Sequence, residues 1–154
     1  MNWISSTRTF PLALALLAAA SLPAMAALGG DATSVEKDVV HLKAAIRSTQ
    51  KTNYAVHELT APSGTVREYV TPAGKVFAVA WNGPVMPDLQ QILGTYYSHF
   101  TTAAKNQRAR GVRGPVSVNE PGVVIQSGGH MAAFRGKAYI PEMLPEGVHA
   151  DAIQ

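Results

Sequence analysis

The phrase Pro–small–Gly occurs twice, ten residues apart, in "TAPSGTV" (60–66) and "VTPAGKV" (70–76), and it constrains the fold more than any other feature of the chain. Proline presets φ for the second position of a type I turn, and the glycine just after takes a left-handed backbone at little cost. Such a turn with a Gly bulge is a common connection between antiparallel strands. The stretches it separates, 54–60, 65–71 and 75–81, have strand length and β-branched or aromatic content. They predict a three-stranded antiparallel meander. In its third strand Phe77, Val79 and Trp81 fall on one face and Val76, Ala78 and Ala80 on the other. Large residues on one side and small on the other predict a central strand with a helix close against the small face.

Helical patterns flank the meander. Thr33–Ser34–Val35–Glu36 has the form of a capping box, and Val35, Val39, Leu42 and Ile46 follow on one helical face, predicting a helix over 34–48. After Asn82–Gly83–Pro84, Asp88 is a natural N-cap for a second helix. Leu89, Ile92, Leu93, Tyr96, Tyr97 and Phe100 recur on one face of that helix, with Gly94 inside it for close approach to the sheet. "KNQRARGVRGP" (105–115) reads as a basic loop, and 116–129 as a hairpin turned at Pro121–Gly122. Residues 131–140 supply a last strand bulged at Gly136, and a loosely ordered tail begins at about 141. The order predicts an α+β fold: helix, three-stranded antiparallel meander, helix, then two to three further antiparallel strands, with the helices packed on one face of the sheet.

Residues 1–26, "MNWISSTRTFPLALALLAAASLPAMA", carry Arg8, a short apolar block, Pro23, and the small–x–small ending Ala24–Met25–Ala26. This is the pattern of a signal peptide cleaved after Ala26, and the block is too short to span a membrane comfortably. The expected mature chain, 27–154, is a single domain destined for the periplasm or the exterior. It contains no cysteine, hence no disulfide, no lipid-acceptor thiol and no thiolate site. With Arg8 removed, twelve basic residues face ten acidic ones, a net charge of +2. That balance allows loose attraction to anionic surfaces, with at most peripheral membrane contact, and does not point to nucleic acid.

Catalytic signatures are not read. His41, His57, His99, His130 and His149 are scattered singly without metal-ligand spacing, no G-x-S-x-G elbow exists, and Gly128–Gly129 lacks the helix of a phosphate loop. No catalytic residue, metal site or cofactor is nominated. Two groups of candidate binding residues remain. Lys105, Arg108, Arg110 and Arg113 form a charge cluster able to grip phosphates or carboxylates, or simply to solvate a connector. Arg67, Tyr69, Trp81 and Asn82 exceed what scaffold demands. They either line a shallow cleft beside the second helix or divide into an Arg67–carboxylate pair and a Trp81 plug at the core edge.

The strings "ALGG" (27–30), "REYV" (67–70), "GKVFAVAW" (74–81), "GP" (83–84), "PDL" (87–89) and Leu93–Gly94–x–Tyr96 resemble the bacterial exported family of unknown function DUF2844. The resemblance covers Ala27 to about Pro145 and implies a small exported domain without assigned catalytic residues. The function expected is therefore that of an exported, non-catalytic domain binding a protein partner or an anionic envelope component. The alternatives are a periplasmic hydrolase with its cleft near Arg67, Tyr69, Trp81 and Asn82, or a structural accessory subunit.

Overall fold

Both Pro–Gly phrases turn hairpins. The computed structural model describes residues 28–31 and 45–154. In it β1 (Ala45–Gln50), β2 (Ala55–Ala61), β3 (Gly64–Val70) and β4 (Val76–Gly83) run as successive antiparallel neighbours. Pro62–Ser63 separates β2 from β3, and Gly64 has φ +140°. Between β3 and β4, the Gly74 amide donates to the Thr71 carbonyl at 2.9 Å, and the Thr71 amide to the Lys75 carbonyl at 2.8 Å. Gly74 takes φ +76°, as the turn requires.

A helical segment follows, made of α1 (Leu89–Leu93), a 3₁₀ turn (Gly94–Tyr96) and α2 (Tyr97–Ala109). Then β5 (Val116–Glu120), β6 (Val123–His130) and β7 (Ala133–Tyr139) complete one sheet in the order β1-β2-β3-β4-β7-β6-β5. The hairpin at Pro121–Gly122 forms as expected, with Gly122 at φ +86°.

The fold is therefore mostly β, which corrects the α+β expectation. The predicted helix over 34–48 lies outside the described residues for 34–44, and its last part is strand: Ala45–Gln50 pairs residue for residue with β2. Ile46, which the helical spacing placed on a buried face, is 45% exposed. Pairing with an adjacent strand has overridden a local pattern. The signal-peptide reading of 1–26 and the capping box at 33–36 also lie outside the described residues.

Other differences are local. Asp88 caps α1 as expected, its Oδ1 accepting from the amides of Gln90 (3.0 Å) and Gln91 (3.2 Å). Gly94 does not ride inside a continuous helix. At φ +53° it ends α1, so the chain changes direction before α2 begins. Residues 105–109, read as loop, are helical. Gly136 is not a bulge: the registers of β7 with β4 and β6 pass through it unbroken. An added Cβ there would lie 2.3 Å from Cζ2 of Trp81, so glycine is what lets the indole lie against β7.

The faces of β4 are also rephased. Tyr69 pairs with Ala78 but Val70 with Val76, leaving Phe77 as an extra residue in a bulge. Val76, Val79 and Trp81 consequently pack with Leu89, Ile92 and Leu93 of the helical segment. Phe77, Ala78 and Ala80 face the opposite side. The helical segment thus covers the large residues, not the small ones. The small ones are covered by residues 141–154, where Ile153 is 1% exposed in a cluster with Tyr69, Phe77, Ala78 and Ala80. The tail read as loose is packed.

Leu28, Gly29 and Gly30 of the "ALGG" string have a structural role. Leu28 is buried in the helix-side core, its amide donating to the Ile92 carbonyl at 3.1 Å. Gly29 and Gly30 exchange backbone bonds with Val76, and Lys75 pairs with Asp31 at 2.8 Å.

Candidate functional site

In an antiparallel sheet, directly opposed residues share a face. Glu58, Arg67, Ala80, Lys137 and Gln126 accordingly form one row across β2, β3, β4, β7 and β6 on the face that carries the tail. The adjoining row sets Thr65, Asn82, Arg135 and Gly128 side by side. At the β4–β7–β6 end of these rows residues 141–154 leave part of the sheet uncovered. An open groove of about 470 Å³ remains, bordered by Asn82, Gln126, Arg135, Lys137, Pro115 and the Ile153–Gln154 segment. No Asp or Glu borders it.

The tail is held by side chains of the same face. Arg67 Nε meets Glu58 Oε2 at 2.6 Å, with both side chains about one-third exposed (31% and 32%). Arg67 Nη1 donates to the Gln154 carbonyl at 3.0 Å. The Tyr69 hydroxyl donates to that same carbonyl and accepts from the Gln154 amide, each at 3.0 Å. Burial raises the pKa of this phenol above 10, only partly offset by its bond to Gln154 and by the Arg67 charge, so it stays a donor. Lys137 Nζ donates to the Ala150 carbonyl at 2.8 Å.

The four residues proposed for one cleft do not meet. Arg67 and Tyr69 grip the tail, whereas Trp81 points to the opposite face, 3% exposed in the helix-side core. Its indole N–H finds no acceptor among the described residues. Asn82 is exposed and borders the groove. The sequence account in which Arg67 pairs with a carboxylate and Trp81 plugs the core matches this geometry.

The basic quartet is split between two elements. Lys105 and Arg108 project from α2, and Arg110 and Arg113 lie in the connection to β5; all four are exposed. Arg110 Nε donates to the Asn106 carbonyl at 3.3 Å, and Gln107 Nε2 fastens the connection through the Gly114 carbonyl at 3.2 Å. None of the four cations is ion-paired to a described residue. Positive charge at this end of α2 also complements the helix dipole.

Arg135, Lys137 and Gln126 were missed by sequence reasoning. Arg135 and Lys137 stand two apart in a strand, which places them on one face; the missing fact was that Ile153 and Gln154 would lie beside them. The histidines play scattered parts. His99 Nδ1 meets Glu120 Oε2 at 2.5 Å and ties α2 to β5. His57 Nδ1 lies 2.7 Å from Ser48 Oγ on the helix side of β2, and burial lowers its pKa below 6.5. The groove at the β4–β7–β6 end does not reach this Ser–His pair. Nor, among those residues, does any group of His, Asp and Glu have the geometry of a metal site.

A family model described as a protein of unknown function (DUF2844) matches residues 24–153. The chain belongs to this family. No curated protein matches it, and no solved structure does. Several of the strings that mark this DUF2844 chain have structural duties: Leu28–Gly30 docks on β4 and α1, "REYV" supplies the tail clamp, and "PDL" caps α1. No described helix is long and apolar enough to cross a membrane.

Proposed function

We propose that this DUF2844 protein is exported, loses residues 1–26, and acts as a non-catalytic binding domain for an anionic component of the cell envelope. The observation that carries the reading is the exposed group Lys105, Arg108, Arg110 and Arg113, clear of any acidic partner among the described residues. Exposed, uncompensated cations contribute little to folding, and they attract anions over a Debye length of about 8–10 Å at moderate salt. Binding by such a surface weakens as salt rises.

The test is co-sedimentation of the mature protein with isolated envelope fractions, alongside the variant Arg108→Ala/Arg110→Ala/Arg113→Ala. Binding that falls with salt and is lost in the variant is the expected result. Unchanged binding by the variant removes the basic end from the function, and salt-insensitive capture of one protein would favour a protein partner instead. Export is tested separately by mass spectrometry of the exported protein, expected to begin at Ala27.

A further inference from the structure

We propose that the groove beside Ile153 and Gln154 is a second anion site, built for an acidic saccharide. This goes beyond the reading above and requires none of the four cations at the end of α2. The cations here are Arg135 and Lys137, two residues apart on β7 and so about 7 Å apart along one face at a strand rise near 3.3–3.4 Å per residue. Each faces a side-chain amide on a neighbouring strand: Asn82 opposes Arg135, and Gln126 opposes Lys137. Directly opposed side chains start roughly 5 Å apart. The groove therefore holds two similar couples, each a cation beside an amide.

That arrangement suits a chain of sugar acids. A guanidinium forks a carboxylate through two parallel N–H bonds, and an amide offers both a donor and an acceptor to neighbouring hydroxyls. The Arg135 side chain makes no hydrogen bond or ion pair with any described residue, so its guanidinium donors are available. Lys137 gives one proton to the Ala150 carbonyl and keeps two. Gly128, opposite Arg135, lies close against Pro115, which forms the wall: a Cβ there would lie 3.1 Å from Cβ of Pro115. No Asp or Glu side chain borders the groove, and about 470 Å³ is within the ordinary range for small-ligand sites. Trp81 is too buried to offer a ring face, so the stacking on which single-stranded nucleic acid binders rely is missing.

The experiment titrates the mature protein with a galacturonic acid oligomer and with a neutral galactose oligomer of equal length. It is repeated with Arg135→Ala, Lys137→Ala and the Arg108/Arg110/Arg113 triple variant, and with phosphatidylglycerol vesicles as a separate ligand. Arg135 is exposed at the groove, so its removal is not expected to prevent folding; Lys137 also holds the strap at the Ala150 carbonyl, so its variant is a secondary probe, and circular dichroism checks both. Binding of the acidic oligomer over the neutral one is expected, weakened about tenfold or more by Arg135→Ala and changed less than about twofold by the triple variant. No detectable binding, equal binding of the neutral oligomer, insensitivity to Arg135→Ala, or tighter binding to the vesicles would each overturn the proposal. Loss of envelope binding only in the triple variant would leave the basic-end reading standing while this one fails.

Discussion

The two faces of the sheet are covered by different means. On one, Val66, Val76, Val79, Trp81, Val123 and Ile125 meet the helical segment in an extended apolar core. On the other, a smaller cluster around Phe77, Ala78 and Ala80 is closed by a strap of irregular chain, fastened through backbone atoms by Arg67, Tyr69 and Lys137. The first face is covered mainly through apolar area, with the His99–Glu120 pair tying α2 to β5; the second combines one buried anchor, Ile153, with directed hydrogen bonds. A helix presents a continuous apolar stripe and can cover a whole face, whereas a strap covers only where it runs. The strapped face therefore keeps an uncovered polar margin, and the groove lies there.

The comparison can be broken by substitution. Trp81→Ala on the helix side is expected to cost about 3–5 kcal/mol, the usual range for removing a buried large aromatic, read by denaturant unfolding. Ile153→Ala on the strap side is expected to cost about 2–5 kcal/mol if the strap is integral; a change under about 0.5 kcal/mol would mean it is only draped. Gly136→Ala probes the thickness between the faces, since the added methyl meets Trp81 at 2.3 Å and the Gln126 carbonyl at 2.5 Å. Overpacking of this kind costs about 1–3 kcal/mol. Asp88→Ala removes the cap of α1 and should cost about 0.5–2 kcal/mol, affecting the helix-covered side alone.

The smallest effects are those of pH, and each face has its own marker. Burial holds the Tyr69 pKa above its ordinary value of 10, so the folded state keeps this proton longer than the unfolded state does. Stability from the strap side is complete below about 10 and falls as pH rises beyond it. Tyr69→Phe should flatten that alkaline slope. His57, on the helix side, is shifted the other way, below 6.5, so the unfolded chain takes the proton first. Stability falls as pH drops through and below that value, and His57→Gln should flatten the acid slope. Urea unfolding across pH reads both.

What the sequence disclosed follows the same division. Turn chemistry at Pro62–Gly64, Pro72–Gly74 and Pro121–Gly122 was legible because those backbone conformations need those residues, and the strands between them followed. The N-cap at Asp88 was legible for the same reason. Three features were hidden because they arise from contacts distant in sequence. Phe77 bulges out of register, which reverses the phase inferred from strict alternation. Ala45–Gln50 pairs with β2 although Ile46 continues a helical spacing. The tail has two prolines and no periodicity, yet Ile153 finds a pocket formed by β3 and β4, more than seventy residues earlier in the chain. The candidate site was legible only as parts: Arg67 and Tyr69 were singled out, but Arg135 and Lys137 gain interest only once the path of the strap beside them is known.

Amide hydrogen exchange at Ile153 and Gln154 tests most directly the claim that the second face is closed by residues 141–154. The Ile153 amide donates to the Ala150 carbonyl at 3.3 Å and the Gln154 amide to the Tyr69 hydroxyl at 3.0 Å. Both should exchange far more slowly than free chain, and Tyr69→Phe should release Gln154 while the amides of β4 stay protected. Exchange of both at the rate of unstructured peptide, with β4 still protected, would contradict the strapped face and remove the wall of the groove with it.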